Sequence, residues 1–318
     1  MTLSNPIDRR TFMAATVTAV ASTAVHASKE SRSMIPVIDT HQHLWDIKKF
    51  KLPWLPADGV LARSYSINDY KMHTAGLGIA NTVYMEVDVD PAQQLEEAEF
   101  VNGLCSDATS GMKGAVVSGR PASGDFGSYV EKIVKLPGVR GVRQVLHVPS
   151  TPSGFCLSDD FVRGIRLLGT KNLSYDLCVK HSELGNVAVL LDACPDTQFV
   201  LDHCGNPDLK ETDHSSWMRS LEAVAKRKNV VCKVSGFLAS APGRGKWTME
   251  QITPIINHTL DTFGPNRVMF AGDWPVVLLA ASYAEWLTAV RQVVSTRPET
   301  DQRKLFHDNA VSHYRLKL

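Results

Sequence analysis

The chain has 318 residues, of which 44% are hydrophobic and 21% are charged. This composition excludes a disordered or fibrous protein and allows one large core or two smaller ones. The 34 Lys and Arg residues balance 33 Asp and Glu residues, so charge gives no reason to expect nucleic acid or an anionic membrane as a partner, and a small molecule is the expected ligand.

The first 27 residues have the pattern of an export signal. The pair Arg9 and Arg10 precedes a mildly apolar run, Ala14–Val25, which ends in small residues that fit a cleavage site. This order is typical of a twin-arginine signal and predicts a periplasmic or otherwise exported protein, with residues 1–27 as the signal and residues 28–34 as a linker. The run is too short to span a bilayer, so the mature form is not expected in a membrane. An amphipathic first helix of the fold is the alternative interpretation.

Eight short runs rich in Val, Ile, Leu or aromatic residues predict eight strands. They are Val37–Leu44, Asn81–Val89, Lys113–Arg120, Val139–Val148, Ser174–Lys180, Gln198–Cys204, Asn229–Gly236 and Arg267–Trp274. Helical patterns separate them, for example at Pro91–Ala108, Ser158–Leu168, Ser182–Asp192, Trp217–Arg227 and Ser282–Val294. This alternation predicts an α/β protein with a (β/α)8 TIM barrel as one domain over residues 35–318. An open doubly wound sheet is the alternative, although no glycine-rich nucleotide motif supports it.

The six cysteines show no paired spacing. A chain of this length needs no disulfide framework to fold. We therefore expect most of them to be buried free thiols.

Titratable residues collect where the predicted strands end. His41 and His43 follow strand one, two residues apart and hence on the same side, while His203 ends strand six and Asp273 ends strand eight. In a barrel the carboxyl ends of the strands surround one mouth, and strands one and eight become neighbours only if the sheet closes. We therefore expect these four side chains to meet. Two histidines packed within a loop are the alternative for His41 and His43.

Several segments together resemble the amidohydrolase-2 branch of the amidohydrolase, or metal-dependent hydrolase, superfamily. They are Ile38–Trp45, Gly138–Arg143, Phe199–His203, Cys232–Gly236, Asp273–Pro275, Ala281–Trp286, Asn309–Ala310 and Tyr314–Leu316. The branch contains lactonase-like enzymes that hydrolyse sugar lactones, such as fuconolactone and rhamnonolactone, or dicarboxylated pyrone and muconolactone rings. It also lies near a group of decarboxylases. The resemblance implies a barrel enzyme over almost the whole chain after the signal.

The resemblance implies roles for the residues at the mouth. Asp273 matches the strand-eight aspartate that takes a proton from the attacking water, with His203 as a second catalytic residue. His41, His43, His203 and Asp273 would hold one divalent cation, for which zinc suits the imidazole and carboxylate ligands. Some lactonase-like members work without metal, so a metal-independent reaction stays open.

Strands four and five depart from the wider superfamily. Strand four ends in Arg143–His147, without the lysine or glutamate that bridges two metals in binuclear members, which argues against a second metal. Strand five ends in Lys180 and His181, and His181 is a less certain metal ligand, as are Glu86 and His147. A solvated carboxylate and a hydrogen-bonded rim histidine are equally good interpretations of Glu86 and His147.

Cationic and aromatic side chains near the mouth are candidate substrate contacts. A buried cation near a catalytic aspartate needs an anion or a carbonyl as its partner. The candidates for binding a carboxylate or a hydroxyl-rich substrate are Arg140, Arg143, Lys180 and Lys233, and the candidates for an apolar wall are Trp45 and Trp274. In the alternative interpretation, Arg140 and Lys233 pair with internal acids such as Asp39 or Asp202.

The predicted function is a hydrolase that opens the cyclic ester of a sugar lactone or a carboxylated lactone with water activated by Asp273. One alternative is a decarboxylase of an aromatic or enoic acid on the same scaffold. The other is a non-catalytic carbohydrate or metal binder. The sequence leaves the particular lactone, the metal and the oligomeric state open.

Overall fold

The computed structural model describes residues 34–318. The predicted signal at residues 1–27 and residues 28–33 of the linker lie outside the described residues, so export and a periplasmic location stay predictions. In the described part of the chain, no helix is both long enough and apolar enough to cross a membrane.

The core of the molecule is one sheet of eight parallel strands in sequential order. The strands are β1 Val37–Gln42, β2 Ile79–Met85, β3 Met112–Ser118, β4 Val139–Val145, β5 Ser174–Cys178, β6 Phe199–Leu201, β7 Val230–Val234 and β8 Val268–Phe270. A parallel bridge between Gln42 and Trp274 joins the last strand back to the first. The predicted (β/α)8 barrel is confirmed, and the doubly wound alternative is wrong because such a sheet stays open.

A buried carboxylate reinforces this closure. Asp39 in β1 accepts hydrogen bonds from the backbone N–H groups of Gly272 and His41, at 2.7 and 3.0 Å. The hydroxyl groups of Tyr70 and Tyr283 donate to its other oxygen, at 2.8 and 3.0 Å. All four donors of this network would lose their partner if the carboxylate were removed. The seam between β8 and β1 therefore depends on a side chain as well as on the backbone.

Each of the eight predicted strands is present, but each ends earlier than predicted. Strand six, for example, was expected to continue to Cys204, whereas β6 ends at Leu201 and a tight turn, His203–Gly205, follows. The residues beyond the sheet are buried beneath loops, so the apolar pattern continues after the last ladder hydrogen bond. Because the strands end early, several polar residues at the mouth lie just after the last paired residue of their strand.

Ten α-helices lie within residues 34–318. They are α1 Ile67–Thr74, α2 Gln94–Ser106, α3 Phe126–Ile133, α4 Asp159–Thr170, α5 Leu184–Ala193, α6 Ser215–Ala225, α7 Met249–Phe263, α8 Tyr283–Val294, α9 Glu299–Arg303 and α10 Asn309–His313. Capping boxes fix where α1, α7 and α8 begin, for example Ser282 with Glu285 at α8. After α10, Tyr314 and Leu316 pack with Ile38 in the same buried apolar cluster. The C-terminal segment thus packs against the interior of the barrel.

All six cysteines are free thiols, and five of them are buried. The prediction of mostly buried, unpaired cysteines is confirmed. Burial of apolar side chains in the closed barrel, rather than disulfide bonds, therefore stabilises the fold.

Candidate active site

The carboxyl ends of β1 and β8 bring the predicted catalytic residues together. Nε2 of His41 lies 3.1 Å from Nε2 of His43. The Asp273 Oδ1 atom lies 3.6 Å from the first nitrogen and 3.5 Å from the second. The imidazole ring of His203 packs against that of His41, with 4.5 Å between the ring centroids. Side chains more than two hundred positions apart in the sequence therefore form one cluster, as predicted from barrel closure.

Two of these residues have an unusual backbone conformation. His203 and Asp273 lie in the left-handed region, with φ of 58° and 52°. Such conformations are strained for non-glycine residues and persist where the surrounding structure holds them, often at functional sites. Gly236, with φ of 69°, passes so close to His203 that a Cβ atom there would lie 2.0 Å from the His203 Nδ1 atom. The fold thus leaves the imidazole of His203 little room to move.

Hydrogen-bond partners fix the protonation of two imidazoles. The His43 Nδ1 atom faces the carbonyl oxygens of Met85 and Glu86, both at 3.0 Å, so it must carry the proton. Arg143 Nη1 donates to His41 Nε2 at 3.3 Å. Because a guanidinium group can only donate, that Nε2 atom must be an acceptor. In their neutral forms, both histidines therefore carry a lone pair on the nitrogen that faces Asp273. His41 Nε2 has only one lone pair, so a cation bound there would replace the long Arg143 contact.

This arrangement fits a divalent cation. Two nitrogen lone pairs and a carboxylate oxygen converge within 3.1 to 3.6 Å, and they repel one another unless a proton or a metal ion lies among them. Ligands at about 2.0–2.2 Å from one ion lie roughly 3.3 Å apart, which agrees with these separations. His203 belongs to the same group, because ligand atoms of His41, His203 and Asp273 all lie within 4.8 Å of one another.

A second group of possible ligands fits a metal less well. It consists of Cys178, Asp202 and His203, with ligand atoms again within 4.8 Å of one another. Burial raises the pKa of the Cys178 thiol and so opposes the thiolate that a metal needs. Asp202 already forms ion pairs with Arg143 and Lys233, at 3.2 and 3.1 Å. The geometry therefore favours one metal, at the group that contains Asp273.

Beneath the histidines lies a set of buried charges, which we call the floor. It consists of Glu86, Arg143, Asp202, Lys233 and Asp176, each at most 4% exposed. Arg143 bridges two carboxylates, with Nε at 2.6 Å from Glu86 Oε1 and Nη1 at 3.2 Å from Asp202 Oδ2. Lys233 bridges Asp202 and Asp176. The floor contains three acidic and two basic side chains, and Asp273 above it adds another acid, so the balance favours a bound cation.

Burial and these charges control protonation around the site. Burial lowers the pKa of His41 well below its usual value, although Asp202 acts in the opposite direction. Burial also lowers the pKa of His203. Burial alone would raise the pKa of Asp202, but Lys233 and His41 hold it well below its usual value. The site thus has neutral imidazoles above an ionised Asp202, which suits a metal-binding histidine cluster.

A cleft of about 750 Å³ opens above the floor. We call its apolar side the wall, defined as Trp45, Trp54, Leu61, Phe237, Val276 and Leu279. Trp54 and Leu279 keep 36% and 41% of their surface exposed. The Trp54 indole N–H donates to the Val87 carbonyl at 2.6 Å, and its ring meets that of Trp45 edge to face. The cleft therefore offers a fixed aromatic surface beside the catalytic cluster.

Comparison with known proteins identifies the family. A family model described as amidohydrolase matches residues 38–316. The chain belongs to the amidohydrolase family. It is 32% identical to an L-fucono-1,5-lactonase from Burkholderia multivorans over 279 residues, which cover 84% of this chain and 91% of that protein.

Solved structures agree with this assignment. A zinc-bound amidohydrolase from Burkholderia multivorans matches with a TM-score of 0.80 and 28% identity, over 89% of this chain and all of that one. A probable 2-pyrone-4,6-dicarboxylic acid hydrolase from Acinetobacter baumannii, crystallised with citric acid, has the same fold, with a TM-score of 0.69 and 16% identity over 88% and 99% of the two chains. The predicted resemblance is confirmed, and this amidohydrolase is a hydrolase of that superfamily.

Several other predicted residues of this amidohydrolase lie where expected. Trp45, Arg143, Lys180, His147 and His181 all line the cleft. None of them joins the group of possible metal ligands in the described residues. His181 lies 3.6 Å from the carboxylate of Glu211 instead, and burial lowers the pKa of His147 to about 4.

Three predicted substrate contacts do not lie in the cleft. Arg140 is near the amino end of β4, where its guanidinium group donates to the carbonyls of Pro137 and Val139. The prediction that Arg140 contacts the substrate was wrong. The alternation of side chains along a strand shows which side of the sheet a residue faces, but not at which end of the barrel it lies. Lys233 is fully buried in the floor, so the alternative pairing with Asp202 describes it better.

Trp274 is also fully buried, although it directly follows Asp273. It packs edge to face against Tyr65 and Tyr70. The apolar wall is made by Trp54 instead, which the sequence analysis did not name. The Lys51–Pro56 segment that contains it gives a weak signal, since a tryptophan between two prolines in a loop is a candidate binding residue.

Glu86 is buried rather than solvated, and it is paired rather than free. Arg143 Nε lies 2.6 Å from its Oε1 atom, and the Ser118 hydroxyl and the Asp88 backbone N–H donate to Oε2. These partners occupy both oxygens, so Glu86 is better described as part of the floor than as a metal ligand. The sequence analysis also missed Asp176, Cys178 and Ser235, because nothing local distinguishes them from ordinary strand residues.

Proposed function

We propose that this amidohydrolase opens the cyclic ester of a sugar-derived lactone. The observation that carries the proposal is the position of Asp273, whose carboxylate lies within 3.6 Å of two imidazole nitrogens at the base of the cleft. A carboxylate in this place has a direct path to a water molecule beside a bound carbonyl group. The relative that is 32% identical and named an L-fucono-1,5-lactonase supports the same reaction.

In the proposed reaction Asp273 accepts a proton from water while the water oxygen attacks the lactone carbonyl carbon. The tetrahedral intermediate then collapses, the ring C–O bond breaks, and Asp273 returns the proton to the departing ring oxygen. The product is an open-chain hydroxy acid. His203 stands beside this path, and the Ser235 hydroxyl lies 2.9 Å from its Nδ1 atom, where it holds the ring in place by a hydrogen bond.

His41, His43, His203 and Asp273 would hold a divalent cation, and we propose zinc because imidazole and carboxylate ligands suit it. When bound, such an ion polarises the carbonyl group and acidifies water. The chain itself contributes the orientation of the ligands. The Met85 and Glu86 carbonyls hold His43 through Nδ1, and Asp202 faces Nδ1 of His41.

The cleft favours a neutral lactone over a carboxylated one. The guanidinium group of Arg143 is already paired with Glu86 and Asp202, so among the predicted cations that line the cleft only Lys180 is left for a substrate carboxylate. The exposed face of Trp54 and the side chain of Leu279 offer contact to the C–H face of a sugar ring instead.

The test is hydrolysis of a panel of lactones by the purified protein, followed by acid release at constant pH. We expect L-fucono-1,5-lactone and related six-membered sugar lactones to be opened faster than 2-pyrone-4,6-dicarboxylate. Asp273→Asn should lower kcat by about 10²–10⁴-fold through loss of the general base. An unchanged rate in that variant would contradict the mechanism, and carbon dioxide release from an aromatic acid would instead support a decarboxylase.

The metal is tested separately. Chelation should remove activity, and added Zn²⁺ should restore it more fully than Mn²⁺. Saturating metal at 100 times its Kd should also stabilise the fold by about 2.7 kcal/mol, an effect that Asp273→Asn should reduce. A metal-free protein with full lactonase activity would refute the role of the metal and leave the role of Asp273 intact.

A further inference from the structure

Lys233 in β7 is a fully buried lysine directly below the catalytic histidines. Its Nζ atom lies 2.8 Å from Asp176 Oδ2 and 3.1 Å from Asp202 Oδ1. The Tyr314 hydroxyl donates to the same Asp176 oxygen at 2.7 Å. Lys233 is thus held from below by a carboxylate that the C-terminal segment itself anchors.

Asp202 connects this lysine to the catalytic cluster. Its Oδ1 atom, which faces Lys233, also faces the His41 Nδ1 atom at 3.5 Å. Its Oδ2 atom lies 3.2 Å from Arg143 Nη1. Among the described residues, that His41 nitrogen has no closer hydrogen-bond partner. The orientation of the Asp202 carboxylate therefore decides what His41 Nδ1 can interact with.

The ring nitrogen of His41 that carries the proton determines what the other nitrogen can bind. The Asp202 carboxylate can only accept, so its position opposite His41 Nδ1 favours the imidazole proton on that nitrogen, and the long contact of Arg143 with Nε2 agrees with this form. With the proton on the other nitrogen, His41 would direct an N–H group, not a lone pair, at His43 and Asp273. The cluster could then no longer hold a cation or orient a water in the same way.

We propose that Lys233 is a positioning residue for the reaction at Asp273. It fixes Asp202 so that the carboxylate selects the Nδ1-protonated form of His41, and Tyr314 and Asp176 in turn fix Lys233. The inference rests on the proposed function, because it assigns Lys233 a task in that site. A buried ion network of this kind is costly to desolvate and is a poor way to gain stability alone.

The test compares a charge-balanced double variant with the wild type. Lys233→Met combined with Asp176→Asn removes one positive and one negative charge, and it leaves Asp202 paired with Arg143 alone. We expect kcat to fall by about 10–100-fold while KM changes less than about threefold, as for residues that orient catalytic ligands. Tyr314→Phe, which removes a single hydroxyl group, should give a smaller loss of kcat in the same direction.

Thr197→Val is the control. Thr197 is also buried, and its hydroxyl donates to the Ile165 carbonyl at 3.0 Å. It precedes β6 and does not line the cleft. The control should lose some stability, as Tyr314→Phe does, but should keep its kcat.

The protonation of His41 provides a readout that does not depend on the substrate. Long-range ¹⁵N–¹H correlation spectra of histidine-labelled protein, as purified and after chelation, distinguish the two neutral forms, and His41→Asn assigns the signal. We expect only the Nδ1-protonated form in the wild type and a mixture of both forms in the double variant.

Each outcome decides between the possibilities. A folded double variant with wild-type kcat and an unchanged His41 signal would overturn the proposal. If the double variant does not fold, Tyr314→Phe decides, since a kcat and a His41 signal equal to those of Thr197→Val would also overturn it. If the wild type opens no lactone, the proposed function fails, and the His41 signal still tests the positioning by Lys233.

Discussion

The floor and the wall of the cleft are built on opposite principles. In the floor every charged side chain is buried and has a partner of opposite charge, for example Arg143 between Glu86 and Asp202. In the wall the side chains are apolar, Trp54 and Leu279 are partly exposed, and Trp54 has a single hydrogen bond, to the Val87 carbonyl. Changes in the floor should therefore alter the chemistry or the fold, whereas changes in the wall should alter only which substrate binds.

Asp39, at the seam between β8 and β1, should be the residue most sensitive to substitution. Asp39→Ala leaves the N–H groups of His41 and Gly272 and the hydroxyl groups of Tyr70 and Tyr283 without their acceptor. Loss of a buried carboxylate with several donors should lower the free energy of unfolding by about 3–5 kcal/mol, measured by urea denaturation. Asp39→Asn keeps one acceptor oxygen and should cost less. Equal stability of Asp39→Ala and the wild type would show that the seam does not need this side chain.

Gly236→Ala should mainly reduce the rate. The new Cβ atom would lie 2.0 Å from the His203 Nδ1 atom, so the ring must move. A misplacement of about 1 Å costs about 100-fold in rate, to be read from kcat in the lactone assay. Gly264→Ala is the matched control, because Gly264 has a similar φ of 71° and a Cβ atom there meets nothing within 4 Å. Similar kcat values for the two variants would argue against a fixed position of His203 as a requirement.

Glu97 is a buried carboxyl group that interacts with Glu86 of the floor, and it should make the stability of the fold depend on pH. Burial, with the nearby Glu86 as a second cause, raises the pKa of Glu97 to about 7 from a usual value near 4.5. The folded state therefore holds this proton more tightly than the unfolded state does. Its contribution to stability is complete below about pH 4.5 and falls as the pH rises towards 7, by at most about 3 kcal/mol.

Glu97→Gln should remove this part of the pH dependence, as measured by urea denaturation between pH 5 and pH 8. The substitution also places an amide N–H₂ group opposite one backbone donor, because Ser118 and Val87 donate to different oxygens. Only the change with pH, and not the absolute stability, is therefore informative. Glu99→Gln on the exposed side of α2 is the control, and parallel pH curves for both variants would contradict the expectation.

The smallest effect is expected in the wall. Trp54→Ala should raise KM for a sugar lactone by about fivefold, since stacking on an aromatic side chain contributes on the order of 1 kcal/mol, and should leave kcat unchanged. Trp54→Phe should keep most of the affinity. Ile47→Ala, at a neighbouring exposed apolar residue that does not line the cleft, is the control. A fall in kcat without a change in KM would place Trp54 with the floor.

The barrel and the catalytic cluster could be predicted from the sequence for one shared reason. Each strand is a local apolar run, and the polar residue that follows it reaches the mouth whatever the other strands do. His41, His43, His203 and Asp273 needed only this rule. Their convergence was a consequence of closure and not of any contact visible along the chain.

The floor and the wall could not be predicted in the same way. Lys233 and Asp176 are 57 positions apart, and Tyr314 is 138 positions from Asp176, so their pairing depends on the register of distant strands. Trp274 follows a catalytic residue in the sequence, but the chain turns after Asp273 and buries it. The position of Trp274 next to Asp273 in the sequence was misleading, because the side chain of one residue can face the mouth while the side chain of the next faces the helices.

The seam at Gln42 and Trp274 has a consequence for inactivation by heat. The two strands that supply Asp273 and the paired imidazoles are joined by one isolated backbone bridge, by the hydrogen bonds of Asp39 and by the Thr40 hydroxyl, which donates to the Phe270 carbonyl at 2.8 Å. A local separation there would dismantle the catalytic cluster while the helices of the outer ring kept their structure. We therefore expect turnover to disappear on warming before circular dichroism records any loss of helix, so that activity reports on the integrity of this joint and ellipticity does not.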